Sequence, residues 1–282
     1  LWQHNARLPR DRRVILLTGS ELRHTFFRKF IALSEGITVL QSYCEGLEKS
    51  IGAIVEAQEN NDLRIRHLRA REQSEEDFFR LYVDATEDRS NPVFLPKGEI
   101  NSPANTQLII SAAPDLIVAY GCSIIREPLL SAFPQRLINV HLGLSPYYRG
   151  SGTNYWPLVN NEPEYVGATF MYMDAGIDTG EIIHQVRAHI APGDTPHSIG
   201  NRLIVAMTKA CAQIINRSDQ LDRMPQPSTS TTDRYYKKKD YTEESVAALY
   251  ANFSAGLVER YLAELPARHA RAPIVQNPVL LS

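Results

Sequence analysis

No run of eighteen apolar residues occurs anywhere in the chain, so a membrane-spanning helix is not expected. Cysteine is scarce: Cys44, Cys122 and Cys211 are an odd, widely spaced set among 282 residues, which excludes a disulfide framework and offers no spacing for a thiol nucleophile. Reduced, mostly buried thiols in a cytoplasmic protein fit that pattern. Neither sign of charge is in surplus, with 30 Lys and Arg against 32 Asp and Glu for a net −2, which argues against a general nucleic-acid binder. The only basic run, Lys237-Lys238-Lys239, reads as a solvated loop. No His-Glu-x-x-His or Cys pair occurs, and His184 and His189 are read on opposite sides of a strand, so no metal site is expected. No Gly-x-Gly-x-x-Gly follows the first strand, which removes the dinucleotide fingerprint. No internal repeat is visible, and Leu1 to Arg13 is basic and polar without the apolar core of a secretory signal.

What is present is an ordinary globular composition, 43 % hydrophobic and 22 % charged. Arg13 to Thr18 reads as an apolar strand, followed by a helical pattern over Glu21 to Ser34 and a second strand from Ile37 to Leu40, a βαβ opening. Arg23 and His24 fall in the first turn of that helix, where they either meet an anionic group or face solvent. Over residues 45 to 92, rich in Arg, Glu and Gln, the helical spacing of Phe78, Phe79 and Leu81 predicts core contacts. Further on, Asn101 to Ala113 reads as a helix, Asp115 to Tyr120 as a strand, and Thr195 to Ile215 as an amphipathic helix with Asp194 before it as a cap. A helix is predicted from Thr242 to Leu265, capped by Thr242, before a Pro-rich tail that docks or frays.

The chemistry concentrates between Ile138 and Gly180. Leu137 to Val140 reads as a short buried strand, and residues two apart on a strand share a face, so Asn139 and His141 project together. The loop from Gly143 to Gly152 holds three glycines and Pro146, as expected of a chain leaving a sheet edge to wrap a pocket. Val166 to Met173 and Glu181 to Ile190 read as two strands joined by a loop with two carboxylates: Asp174 as a turn-former, and Asp178 either a turn-former or a site residue by local reading.

This segment resembles the catalytic domain of the folate-dependent formyltransferases, the family of glycinamide ribonucleotide, methionyl-tRNA and sugar N-formyltransferases. Their shared signature is Asn-x-His, a Leu-Pro-containing loop, and an Asp on a Gly-rich loop about forty residues on. Asn139, His141 and Asp178 match its three catalytic positions. The resemblance covers residues 13–215 and is strongest from Asp115 to Gln185. It implies an α/β fold, a Rossmann-like, mostly parallel sheet flanked by helices with a small C-terminal extension. The expected division is an N-terminal extension over 1–12, a catalytic domain over 13–217, a linker over 218–232, and a C-terminal helical extension over 233–282.

The resemblance also implies 10-formyltetrahydrofolate as co-substrate, with Tyr120, Gly121 and Ile124 on one side of its pterin ring and Ala175, Gly176 and Ile177 on the other. One departure is Gly143-Leu144-Ser145-Pro146, where many members carry Ser and then Leu-Leu-Pro, and it looks more like a subset acting on amino sugars. Tyr148, Arg149, Asn154 and Trp156 then supply polar and aromatic surface for a nucleotide-linked amino sugar, with Arg149 pairing a phosphate or bracing its loop. The expected partner is therefore a small acceptor amine, without nucleic acid or membrane, and homodimerisation is left open. The alternatives are a 10-formyltetrahydrofolate hydrolase, a transferase acting on a siderophore hydroxylamine or an aminoacyl-tRNA, and a non-catalytic protein of the same fold.

Overall fold

The computed structural model describes residues 11–46, 62–174, 176, 179–227 and 234–281. The first unit is β1 (Arg12–Gly19), α1 (Leu22–Leu33) and β2 (Ile37–Glu45). Then come α2 (Leu63–Ala85), β3 (Pro92–Leu95), α3 (Pro103–Ala112), β4 (Leu116–Tyr120), α4 (Leu129–Ala132) and β5 (Leu137–His141). These five strands pair in parallel in the order β3-β2-β1-β4-β5. After β6 (Tyr148–Gly150) and α5 (Trp156–Val159), strands β7 (Gly167–Tyr172) and β8 (Ile182–Arg187) extend the sheet antiparallel beyond β5. The long α6 (Pro196–Asn216) follows, then β9 (Arg234–Tyr236), α7 (Glu243–Ser254), α8 (Leu257–Ala263) and α9 (Leu265–Arg271). The mostly parallel, helix-flanked sheet is the expected architecture.

Strand alternation builds the core on both faces. In β1, Val14 and Leu16 point to one layer and Ile15 and Leu17 to the other, and all four are fully buried. The first layer holds Phe27 of α1, Phe79 of α2 and Ile199, Leu203 and Met207 of α6, while the second holds Ile109 and Leu129 of α3 and α4. Phe79 is thus the core contact expected of α2, whereas Phe78 and Leu81 are exposed. Each residue advances a helix by 100°, so the two flanking side chains point away from the face that buries Phe79.

Two local readings are corrected. The helix predicted from Thr242 to Leu265 breaks at Gly256, which takes φ +81°, a left-handed conformation that glycine adopts without a Cβ penalty. Thr242 does cap α7, accepting the Ser245 amide hydrogen at 3.2 Å. The cap of α6 is Thr195, not Asp194, whose carboxylate accepts from the Ala191 amide and pairs with Arg202.

The C-terminal helices share the first core layer through Leu249, Leu257, Val258 and Tyr261. The tail docks on β8: the Gln185 amide donates to the Val275 carbonyl at 2.7 Å, and the Asn277 side chain donates to the Ile183 and Asp222 carbonyls. This covers what is otherwise an open sheet edge. Cys44 and Cys211 are buried, Cys122 is half-buried, and none is in a disulfide.

Candidate functional site

The sheet reverses its winding at β1, which has β2 on one side and β4 on the other, and a crevice opens outside the carboxyl ends of β1 and β4. Gly19 ends β1 and Gly121 follows β4, and the His24 ring lies across both. A Cβ on Gly121 would sit 2.3 Å from His24 Nε2, and Gly121 has φ +72°. His24 Nδ1 accepts the Glu21 amide hydrogen at 3.2 Å, which fixes the neutral ring with its proton on Nε2. Burial, with Arg23, Arg71 and Arg28 nearby, holds its pKa well below the ordinary value. The first helical turn is therefore neither solvated nor open at His24.

Asn139 and His141 occupy alternate positions of β5 and line the same cavity of about 430 Å³, as their spacing predicts. The loop after them is held against the sheet. The Ser145 amide donates to Thr169 Oγ1, Thr169 donates to the Gly143 carbonyl, and the Gln185 side chain donates to the Ser145 carbonyl. Gly143 is required here, since a Cβ would lie 2.6 Å from Thr153 and 2.7 Å from His141 Nε2.

A second, smaller cavity of about 190 Å³ shares Gly121 and Asn139 with the first. Its walls are Cys122, Ser123, Ile124 and Ile125 on one side, and Met171, Tyr172, Met173, Asp174, Gly176 and Thr179 on the other. Buried Glu45, at the end of β2, accepts the amide hydrogens of Gly98, Ile100 and Ser123 and so pins the first wall. On the second wall Asp174 makes the local bonds of a turn, accepting from the Gly176 amide and the Thr179 hydroxyl.

The larger cavity has a charged wall that the sequence reading did not single out. On α2, His67, Arg71 and Glu75 are spaced by four, and on α6 His197 and Asn201 are likewise. Glu75 accepts from Arg23 at 3.0 and 3.1 Å and from Arg71 Nε at 3.0 Å. Burial opposes the Arg23 charge, yet Glu75 and Glu21 raise its pKa overall. The His67 and His197 rings lie 4.5 Å apart. Burial, then its neighbour and Arg71, lowers His67 to about 3, and burial with Arg71 lowers His197 to about 4. Behind them, Tyr250 of α7 bonds His67 Nδ1 at 3.0 Å.

The residues expected to form the site separate as follows. Asn139, His141, Tyr120, Gly121 and Asn154 line the larger cavity, and Asn139, Gly121, Ile124 and Gly176 the smaller. Tyr120 therefore faces the larger cavity rather than sharing the smaller one with Ile124. Ala175, Ile177 and Asp178 lie outside the described residues. Tyr148, Arg149 and Trp156 line neither cavity. Tyr148 is buried, donating to Glu162 at 2.6 Å and accepting from Asn160 and Arg234. Trp156 stacks on Tyr236 at 4.1 Å, and Arg149 Nη2 donates to Gln226. Bulky aromatics pack where a layer shields them from water, and β9 supplies that layer here. Lys237 to Lys239 are exposed, and no cluster of three or more metal-ligating side chains occurs among the described residues.

Residues 51–215 match the profile of the formyl transferase family, Formyl_trans_N. A methionyl-tRNA formyltransferase from Desulforamulus reducens is 39% identical over 113 residues, 39% of this chain and 35% of that protein. One from Acetivibrio thermocellus is 30% identical over 148 residues, 51% of this chain and 47% of that protein. The chain thus spans half or less of the length of these curated relatives. Among solved structures, a sugar N-formyltransferase from Shewanella sp. superposes with TM-score 0.54 at 16% identity, over 81% of this chain and 78% of that one. A phosphoribosylglycinamide formyltransferase from Anaplasma phagocytophilum gives 0.53 at 15%, over 81% of this chain and all of that one.

Proposed function

Since the chain belongs to the formyl transferase family, we propose that it moves a formyl group from 10-formyltetrahydrofolate to the primary amine of a small acceptor, a nucleotide-linked amino sugar by preference. One observation carries this reading: Asn139 lines both cavities, so a group held in the smaller one and an amine held in the larger one meet at its side chain. The smaller cavity suits a flat heteroaromatic ring, with Ile124, Ile125, Met171 and Met173 as apolar walls and the main chain of Gly121 and Gly176 within reach. When bound, the folate supplies the activated formyl carbon.

The chain's own residues perform the rest. Attack of the amine puts negative charge on the formyl oxygen, and the Asn139 amide and a ring N–H of His141 are the donors aimed at it, a term of about 2.7–4 kcal/mol per donor elsewhere. The amine must lose a proton and the leaving nitrogen must gain one, an exchange suited to His141. Asp178, assigned by its sequence position, orients that ring. The acceptor reading rests on the Gly143-Leu144-Ser145-Pro146 loop and on the polar lining of the larger cavity.

The test is release of tetrahydrofolate from 10-formyltetrahydrofolate, followed spectrophotometrically with nucleotide-linked amino sugars, methionyl-tRNA, a hydroxylamine, or no acceptor. Release that depends on an amino sugar is the expected result. Release only with methionyl-tRNA or the hydroxylamine moves the acceptor, acceptor-independent release makes the protein a hydrolase, and no release under any condition refutes the donor.

A further inference from the structure

Polar side-chain atoms of the larger cavity are left without a protein partner among the described residues. Its carboxylate on α2, Glu75, is spent on Arg23 and Arg71. Arg71 uses only its Nε there, and its two terminal nitrogens have no protein partner among the described residues. The Tyr120 hydroxyl also lacks a partner among them, although the residue is 2% exposed, and so does buried His197 Nε2. The first turn of α6, whose amides carry the positive end of a 21-residue helix, enters the same wall at Pro196 and His197. Arg71 is close enough to act electrostatically on His24, His67, Tyr120 and His197 alike, so these groups converge. A buried polar atom without a partner is costly, and a ligand oxygen relieves it by accepting from the Tyr120 hydroxyl and from His197 in the tautomer with its proton on Nε2, with the part-exposed end of Arg71 beside them.

Resting on the assignment of this cavity to the acceptor, we propose that Arg71, Tyr120 and His197 form a subsite for an anionic oxygen group, a phosphate or a carboxylate, carried by the acceptor itself. Arg71 takes the group through its terminal nitrogens, a geometry that guanidinium and oxyanion share. Tyr120 and His197 donate from the two sides. The acceptor is then an amine whose scaffold also bears an acid, held so that the amine faces Asn139 and His141 at the other end of the cavity. A phosphate-free, carboxylate-free amino sugar lacks the group that fills this end.

Direct titration tests it without folate. Inorganic phosphate and, separately, acetate are added to the full chain while the ring C2 proton signals of His67 and His197 are followed by NMR, assigned with His67→Gln and His197→Gln. Saturable shifts of both signals are expected, because an anion there changes the field and the hydrogen bonding at the two adjacent rings. Arg71→Gln should raise the Kd at least tenfold and Tyr120→Phe at least threefold, with far-UV circular dichroism showing that each variant is folded. A response to phosphate alone identifies a phosphorylated acceptor, and a response to acetate an acidic one. Signals that do not move, or that move equally in folded Arg71→Gln, overturn the proposal. Because no formyl transfer is read, a failed folate assay leaves this result interpretable by itself.

Discussion

Asn139 lines both cavities and His141 the larger one, so on the proposed mechanism removing either side chain strikes the transfer while sparing the core. Both are half-buried on a strand whose remaining residues carry the packing. We expect Asn139→Ala and His141→Ala each to lower kcat at least a hundredfold with the melting temperature nearly unchanged. Near-normal turnover in both would sink the mechanism. Glu45 acts differently, because its buried carboxylate reaches the reaction only through the wall it pins. Glu45→Gln replaces one acceptor oxygen with a donor facing main-chain N–H groups. The KM for the folate should rise several-fold while kcat changes little, and a loss confined to kcat would remove Glu45 from that role.

At the scale of elements, the titration of the α2 and α6 histidines has a defined sign. His67 falls to about 3 and His197 to about 4, against an ordinary value near 6.5 in the unfolded chain, and His24 lies well below that value. The stability that these neutral rings confer is complete above pH 6.5 and is lost as pH falls toward 3. Near pH 5 the unfolded chain binds about three more protons than the folded one through these residues. The urea midpoint should therefore fall between pH 6.5 and 5, with a shallower slope in a His67→Gln, His197→Gln double variant. An identical slope would mean that the rings protonate inside the fold.

Elements also explain what could be read beforehand. The period of two that pairs Asn139 with His141 is a local signal, and so are the capping box at Thr242 and the buried alternation of β1. The wall of His67, Arg71 and Glu75 carries an equally regular spacing of four, but a charged helix stripe looks the same whether it faces water or a cavity. Only the packing of α2 on α6, through contacts such as Asn201 to Ser74 at 2.9 Å, decides between them. Tyr148 and Trp156 fail to reach a cavity for a related reason, since the strand that covers them, β9, lies 78 or more residues on.

For the whole molecule, the same long-range packing makes the C-terminal helices part of the first core layer. Leu249, Leu257, Val258 and Tyr261 each bury a side chain worth about 1.5–3 kcal/mol, and together they approach the whole stability of a typical domain, about 5–15 kcal/mol. A chain ending at Asn216 should lose cooperative thermal unfolding by circular dichroism. A sharp melt within a few degrees of the parent would instead make this region a separable unit.

The stack of Trp156 on Tyr236, with the rings 7° from parallel, joins α5 to β9. Trp2 is the sole other tryptophan in the sequence. With Trp2 changed to Phe, the indole emission becomes a single optical probe seated on this crossing. A red shift on adding acceptor would report the crossing parting, so the protein carries its own fluorophore for timing how substrate enters.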